Sequence, residues 1–247
     1  MLSRNTLRSL RATLGMTSKY DLPLGYKSAK DAIALGRSAF LDSVTSDLPH
    51  NRSALVASDD LIPQFGYVGT QFDQSRVLLL GINPGNGNDL VRSRQDNTMM
   101  PALHRFAADV SITSFIQAQK AYKSVCQSWP IWRRHCSEVI GAGKLSFEDI
   151  AYSNALPWRT ASESNFDDAV GKKAAKNYVY PLIEELQPRV IIAMGKKAAR
   201  IIGLGGKSFP NLIVWNRAQV ATSSVQRERT TAAEQIFNII GRKAQQA

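Results

Sequence analysis

The feature that most constrains the fold is an apolar run followed at once by a turn rich in glycine and proline. Val77-Leu78-Leu79-Leu80 leads directly into Gly81-Ile82-Asn83-Pro84-Gly85. A short apolar run bounded by turn residues is typical of a strand that is buried on both faces, as in a parallel sheet. In open α/β sheets, ligands bind at the carboxyl ends of such strands. Asn83 is therefore a candidate site residue, in a turn whose backbone a ligand can approach closely.

Strand-like and helix-like segments alternate along the rest of the chain. Further predicted strands follow the first at 150–154, 188–195 and 212–217. Apolar residues recur at helical spacing over 102–127, 167–186 and 229–244, whereas 86–101 is predicted to be a polar loop. Continuous apolar strands separated by helices predict an α/β protein, with three αβα layers around a central, mostly parallel sheet.

The segment Gly81-Ile82-Asn83-Pro84-Gly85 resembles the first motif of the uracil-DNA glycosylase superfamily. It has the asparagine-containing form typical of the mismatch-specific uracil/thymine-DNA glycosylases, and is similar to that of the single-strand-selective branch. The segment around Asn154 and the strand ending at Gly195 follow in the superfamily's order, so that the resemblance spans about residues 66–237. It implies a uracil-DNA glycosylase-like fold and a DNA glycosylase of base excision repair, which hydrolyses the N-glycosidic bond of uracil or a related damaged base without a cofactor.

The resemblance also assigns roles to single residues. Asn83 would hold a water molecule against C1′ of the deoxyribose, and Ile82, Gly85, Asn154 and Asn216 would contact the extruded base. The amide of Asn154 offers one acceptor and two donors, so it can pair with N3–H and O4 of uracil together; alternatively it only closes the strand through a backbone turn. The fast uracil-specific enzymes place a tyrosine where Gly85 stands, and a glycine there predicts tolerance of 5-substituted uracils.

The third motif of the superfamily, a histidine or asparagine followed by Pro-Ser, has no full counterpart. Residues 216–224 contain neither the Pro-Ser pair nor a histidine. Asn216 occupies about the position of the polar group, Val220 is a poor substitute for the usual wedge, and Arg217 is a candidate for binding phosphate or an orphaned base. The further candidates for DNA contacts are basic residues near predicted strand ends: Arg159, Lys196 and Lys197.

Aromatic side chains could stack on a base or on a neighbouring nucleotide. Tyr67, Phe72 and Trp158 are candidates for the residue that stacks on the extruded base. Trp129 and Trp132 lie near two arginines and a histidine in the sequence, and such mixtures suit stacking and phosphate binding. The more common role of tryptophans in this setting is to anchor helix packing.

The charge balance favours a partner with many phosphates. Lys and Arg total 31 against 20 acidic residues, a formal net charge of +11. Charge alone does not distinguish DNA from RNA or from a membrane surface. The resemblance implies DNA, single- or double-stranded, as the partner, and the protein is expected to be a monomer that binds no membrane. Cys126 and Cys136 are too few for a disulfide framework or a four-cysteine cluster and indicate a reducing, cytoplasmic compartment. With His135 they match no standard zinc spacing, so no metal is expected.

The first 60 residues lie outside the resemblance and are interpreted as an N-terminal helical extension to a domain spanning 61–247. Helices are predicted there over 6–14 and 28–44. The first 20 residues carry basic side chains and no acidic ones. That pattern is compatible with an organelle transit peptide or with a basic helix that contacts DNA, and we favour the helix.

Three other functions fit parts of the sequence. A non-catalytic nucleic-acid-binding protein of the same fold is favoured by the incomplete third motif. An unrelated α/β enzyme could hold a phosphate in the Gly85-Asn86-Gly87 loop, although this loop lacks a Walker lysine and the G-x-G-x-x-G pattern. A serine hydrolase is disfavoured because none of His50, His104 and His135 has the sequence context of a catalytic triad.

Overall fold

The structure is a computed structural model of the chain. It describes residues 22–36, 62–84, 89–158, 168–218, 220 and 222–241, with the backbone alone over 89–96. The helix predicted over 6–14 lies outside these ranges. Within them, no helix is both long and apolar enough to cross a membrane.

Five strands form one sheet in the described part of the chain. They are β1 (Tyr67–Val68), β2 (Val77–Gly81), β3 (Ile150–Asn154), β4 (Val190–Met194) and β5 (Leu212–Trp215). Their order is β1-β3-β2-β4-β5, with β1 antiparallel to β3 and the other neighbours parallel. All residues of β2, β3 and β4 are buried. For β2 and β4, continuous apolar runs predict this position at the centre of a parallel sheet. The predicted α/β class and mostly parallel sheet are confirmed.

The helices surround this sheet. They are α1 (Tyr26–Leu35), α2 (Phe72–Ser75), α3 (Asp89–Asp109), α4 (Ile112–Cys126), α5 (Ser137–Ala142), α6 (Asp168–Ala174), α7 (Tyr180–Leu186), α8 (Lys196–Leu204) and α9 (Ser223–Gly241). A π-helical segment, Trp132–Cys136, precedes α5, and a second, Ala175–Val179, joins α6 to α7.

Helices cover both faces of the sheet. Tyr122 of α4 packs its ring on Tyr152 of β3, with the ring centroids 6.3 Å apart. Tyr178 of the second π-helical segment bonds through its hydroxyl to the hydroxyl of Ser153, at 2.9 Å. Tyr152 and Ser153 are consecutive residues of one strand and therefore point to opposite faces. This arrangement is consistent with the predicted three-layer αβα architecture.

Two predictions about helix bounds are wrong. The segment 86–101, predicted as a loop, lies in α3 from Asp89 onwards. The continuous helix predicted over 102–127 is broken between α3 and α4, where Val110 adopts a φ of 46°. The side chain of Ser111 then caps α4 by accepting a bond of 3.2 Å from the amide of Ser114.

The helix predicted over 167–186 is present but not uniformly α-helical. The π-helical segment Ala175–Val179 interrupts it, directly before α7 begins at Tyr180. Pro181 follows in the first turn of α7 and has no backbone N–H to donate into the preceding turn. A local π-helical turn at such a point is consistent with the loss of a regular i to i−4 bond.

The described part of the N-terminal extension packs against the main domain. Helix α1 was predicted over 28–44, and it ends earlier, at Gly36, which has a φ of 67°. The carboxylate of Glu185 on α7 accepts bonds from the backbone amides of Lys27, at 3.1 Å, and Ser28, at 2.8 Å. The hydroxyl of Tyr26 donates to the carbonyl of Val110, at 2.6 Å. Gly25 is the N-cap residue and has no side chain that could accept from amides of the first turn. The carboxylate of Glu185 accepts from them instead.

Candidate active site

The carboxyl ends of β2 and β3 lie side by side. Gly81 of β2 is paired in register with Asn154 of β3. The pairing continues past the strands, because the amide of Ala155 donates to the carbonyl of Gly81 and that of Leu156 to the carbonyl of Ile82, both at 2.9 Å. The two sequence motifs that carry the asparagines are therefore joined by backbone hydrogen bonds.

Asn83 lies two residues beyond the end of β2. Its side chain is 7% exposed, and its Nδ2 donates to the carbonyl of Pro84 at 3.1 Å. This bond fixes the plane of the amide relative to the turn. An asparagine held in this way presents its carbonyl oxygen in one orientation, as positioning of a small molecule such as water requires.

Asn154 is held between two tyrosines. Its Nδ2 donates to the hydroxyl of Tyr122, and its Oδ1 accepts from the hydroxyl of Tyr152, each at 3.4 Å. The residue is 1% exposed. Burial raises the pKa of the Tyr122 hydroxyl well above its usual value, so this group is neutral at physiological pH. The amide is thus oriented by two tyrosine hydroxyl groups.

Gly81 makes room for the Asn154 side chain. A β-carbon at position 81 would overlap Oδ1 of Asn154 and would lie 3.0 Å from the hydroxyl oxygen of Tyr152. The amide therefore occupies the space that a side chain on β2 would fill. The glycine at this position is required by close packing, and the site depends on it.

The substitution Gly81→Ala is expected to displace the Asn154 amide. Because the added methyl group overlaps a short side chain in a filled interior, we expect a loss of about 1–3 kcal/mol in unfolding free energy. If the amide takes part in catalysis, the activity of the folded protein falls by roughly 10-fold as well. Chemical denaturation and a single-turnover assay measure the two effects separately. Unchanged stability would contradict the packing argument.

The side chain of Asn216 is occupied by contacts with the C-terminal part of the chain. It directly follows β5, which is separated from β2 by β4. Nδ2 of Asn216 donates to the carboxylate of Glu228 at 2.6 Å, and Oδ1 accepts from the amide of Ala218 at 2.9 Å. Asn216 therefore anchors α9 in this structure, and it lies at a different pair of strand ends from Asn83 and Asn154.

Three of the predicted DNA-contacting residues gather where β4 and β5 end. Lys196 and Lys197 are exposed at the start of α8. Arg217 follows β5, and its Nη1 donates to the carbonyl of Met194 at 3.4 Å. A β-carbon on Gly195, which has a φ of +105°, would lie 3.5 Å from Cδ of Arg217. These positions place positive charge at the same edge of the sheet as the asparagines.

The remaining predicted site residues are either buried or outside the description. Ile82 is buried, and its carbonyl is used by Leu156. Gly85 and Arg159 lie outside the described residues. The three candidates for the stacking residue, Tyr67, Phe72 and Trp158, are all buried in the core.

The tryptophans before α5 have a packing role. Trp132 is buried and stacks on Phe147, with ring centroids 4.7 Å apart, and it contacts Tyr152 at 5.0 Å. Trp129 is partly buried and meets the ring of Tyr122 edge-on at 5.2 Å. These contacts confirm the packing interpretation and place the two tryptophans against Tyr122 and Tyr152, which bond to Asn154.

The cysteines belong to the core. Cys126 and Cys136 are both free and buried, and burial raises the pKa of each thiol. Among the described residues, no group of three or more His, Cys, Asp or Glu side chains is arranged to hold a metal ion.

The sequence indicated the two asparagines but not the tyrosines that hold them. Tyr152 could have been identified, because it precedes Asn154 by two residues on a strand and so shares its face. Tyr122 lies 32 residues away on a helix, and no local pattern links it to the site.

Comparisons with known proteins leave the function open. No protein-family model matches the chain, and no curated protein matches it significantly. The arrangement of the site residues therefore carries the functional assignment.

Proposed function

We propose that the protein is a DNA glycosylase of the uracil-DNA glycosylase-like fold, which hydrolyses the N-glycosidic bond of uracil or a related base in DNA. The main support is the position of two asparagines at neighbouring strand ends. Asn154 ends β3, Asn83 lies just after β2, and these two strands are adjacent and parallel. The resemblance of residues 81–85 to the first motif of that superfamily and the net charge of +11 add to it.

A glycosylase must reach the bond between C1′ and the base, which is inaccessible in a stacked duplex. The target nucleotide is therefore rotated out of the stack, at a cost of a few kcal/mol. Asn83 would hold a water molecule for attack on C1′. An amide cannot take a proton as a carboxylate can, so slow chemistry that depends on stabilising the departing base anion is expected.

The amide of Asn154 would recognise the base. Its bonds to Tyr122 and Tyr152 use one N–H and one lone pair of the carbonyl oxygen. An asparagine amide has a second N–H and a second lone pair. These remaining groups match O4 and N3–H of uracil, whereas the donor and acceptor order of cytosine is reversed. The tyrosines would then determine which edge of the amide the base meets.

Base release from modified oligonucleotides tests the proposal. Duplex and single-stranded DNA carrying uracil, 5-hydroxymethyluracil or an unmodified base would be treated with excess protein and then with alkali, which cleaves abasic sites. We expect cleavage at uracil and at 5-hydroxymethyluracil, the latter because Gly85 takes the place of the excluding tyrosine. No cleavage of either substrate under single-turnover conditions would reject the proposal.

A non-catalytic nucleic-acid-binding protein of the same fold is the second candidate. It is favoured by two observations: Asn154 is 1% exposed, and the amide of Asn216 is used by Glu228 and Ala218. A pure binding protein would retain uracil-containing and unmodified DNA equally and release no base. The same oligonucleotide panel, read by fluorescence anisotropy as well as by alkali cleavage, separates the two candidates.

A further inference from the structure

A second group of polar side chains lies where β4 and β5 end, beside the first π-helical segment. His135 belongs to that segment. The charged side chains that act on it are Arg134 of the same segment, Glu138 of α5, Arg217 after β5 and Arg229 of α9. Glu138 lies 3.9 Å from Nδ1 of His135. The charge around this imidazole therefore comes from three guanidinium groups and one carboxylate, and Glu138 also lies 3.7 Å from Nη1 of Arg229.

Arg229 is fixed in place by the backbone after β5. Its side chain is 12% exposed. Nε donates to the carbonyl of Asn216 and Nη2 to the carbonyl of Ala218, both at 2.9 Å, while Nη1 lies 3.7 Å from the carboxylate of Glu138. Guanidinium groups positioned before a ligand arrives lose little entropy on binding.

Two buried polar atoms near this group have no hydrogen-bond partner within the described part of the chain. They are Nδ1 of His135 and the indole nitrogen of Trp215. Trp215 is paired in register with Met194, whose carbonyl binds Arg217. Because buried polar groups are paired in the great majority of cases, these two atoms are available to a group that binds here.

The imidazole is neutral at physiological pH. Burial, followed by the positive charges of Arg229, Arg217 and Arg134, lowers the pKa of His135 to about 4. An anion placed among these groups would oppose all three charges and favour the imidazolium form. The site is thus arranged so that anion binding and protonation of His135 support each other.

We propose that His135, Arg217 and Arg229 form a binding site for a phosphate group. Guanidinium groups match the geometry of phosphate oxygens, and a neutral imidazole can donate one further bond. That the phosphate comes from the backbone of DNA rests on the proposed function. The ends of β4 and β5 would then hold the DNA strand while the ends of β2 and β3 act on the base.

The contribution of the Arg217 charge to DNA affinity can be measured with Arg217→Gln. Arg227→Gln serves as the matched control. Arg227 is an exposed arginine of α9 whose Nε contacts the carbonyl of Ser223 at 3.5 Å. For an oligonucleotide without a modified base, we expect Arg217→Gln to weaken binding by roughly 10-fold at low salt. The slope of log affinity against log salt should fall by about 1, since one phosphate contact is lost. Arg227→Gln should change affinity by less than about 2-fold.

The protonation of His135 can be followed by NMR in the full chain, with its resonances assigned by His135→Asn. Sulfate serves as the inorganic probe, because it stays dianionic across the titration whereas phosphate does not. We expect sulfate, and separately the unmodified oligonucleotide, to raise the pKa of His135 by about 1 or more. Affinity for DNA should accordingly increase as the pH falls from 7 to 5, and His135→Asn should remove that increase.

The outcomes separate this site from the proposed catalysis. A pKa of His135 that neither sulfate nor DNA changes, with equal affinities for the two arginine variants, would overturn the site even if base release is observed. A response to both probes without any base release would support the site and count against the glycosylase. A response to sulfate alone would exclude the DNA backbone as the source of the phosphate.

Discussion

Replacing Asn83 by alanine is expected to lower the single-turnover rate of base release by about 100-fold or more, while DNA affinity changes by less than roughly 3-fold. The expectation follows from the position of Asn83, which lies just beyond the end of β2 with its amide plane fixed by the bond to Pro84. A group that positions the attacking water acts in the chemical step and adds little to binding. Rates come from alkali cleavage with excess enzyme, and affinities from fluorescence anisotropy.

Asn211→Ala is the matched control for this prediction. Asn211 is an exposed asparagine that precedes β5, and its backbone carbonyl accepts from the amide of Ile191. Removing its side chain should leave the rate unchanged. Asn83→Ala loses the bond to Pro84, which is worth about 1 kcal/mol, so thermal unfolding must show that the variant is still folded. A folded Asn83→Ala protein with full activity would show that Asn83 does not act in catalysis.

The sheet could be predicted because the composition of its central strands fits few structures other than a buried parallel strand. Each residue of β2 and β4 is apolar or glycine, and a strand buried on both faces requires such a run. Helix α3 could not be separated from a loop on the same grounds. Its first half, near Arg92 and Arg94, is polar, and polarity alone does not distinguish an exposed helix from a loop, since arginine and glutamine are good helix formers.

The site was predictable only where local sequence sets the position of a residue. Asn154 could be identified because it ends a predicted strand, and Asn83 because it lies in the turn directly after one. The use of the Asn216 amide by Glu228 depends on where α9 packs, and the contact between Asn154 and Tyr122 depends on how α4 crosses the sheet. Such tertiary contacts leave no periodicity in the sequence.

Replacing Gly66 by alanine is expected to cost about 3 kcal/mol or more in unfolding free energy. Gly66 has a φ of +80°, and a β-carbon there would overlap the carbonyl oxygen of Tyr152 and lie 2.9 Å from Cα of Ser153. These are backbone atoms of β3, which cannot move without breaking the ladder to β2. The overlap lowers the unfolding free energy by about 1–3 kcal/mol. The strain of an alanine in the left-handed conformation lowers it further. At about 2–4 °C per kcal/mol for a domain of this size, Tm should fall by roughly 6–12 °C.

Gly206→Ala separates the two causes of that loss. Gly206 has a similar φ of +87°, but no atom lies within 4 Å of a β-carbon placed on it, so only the conformational strain of about 1 kcal/mol applies. Equal losses of unfolding free energy in the two variants would show that the close approach of Gly66 to β3 does not contribute to the destabilisation of Gly66→Ala. If Gly66→Ala is the more damaging, the folded fraction should also release base more slowly, because β3 carries Tyr152 and Asn154. The packing of β1 on β3 would then hold the amide that the proposed chemistry requires.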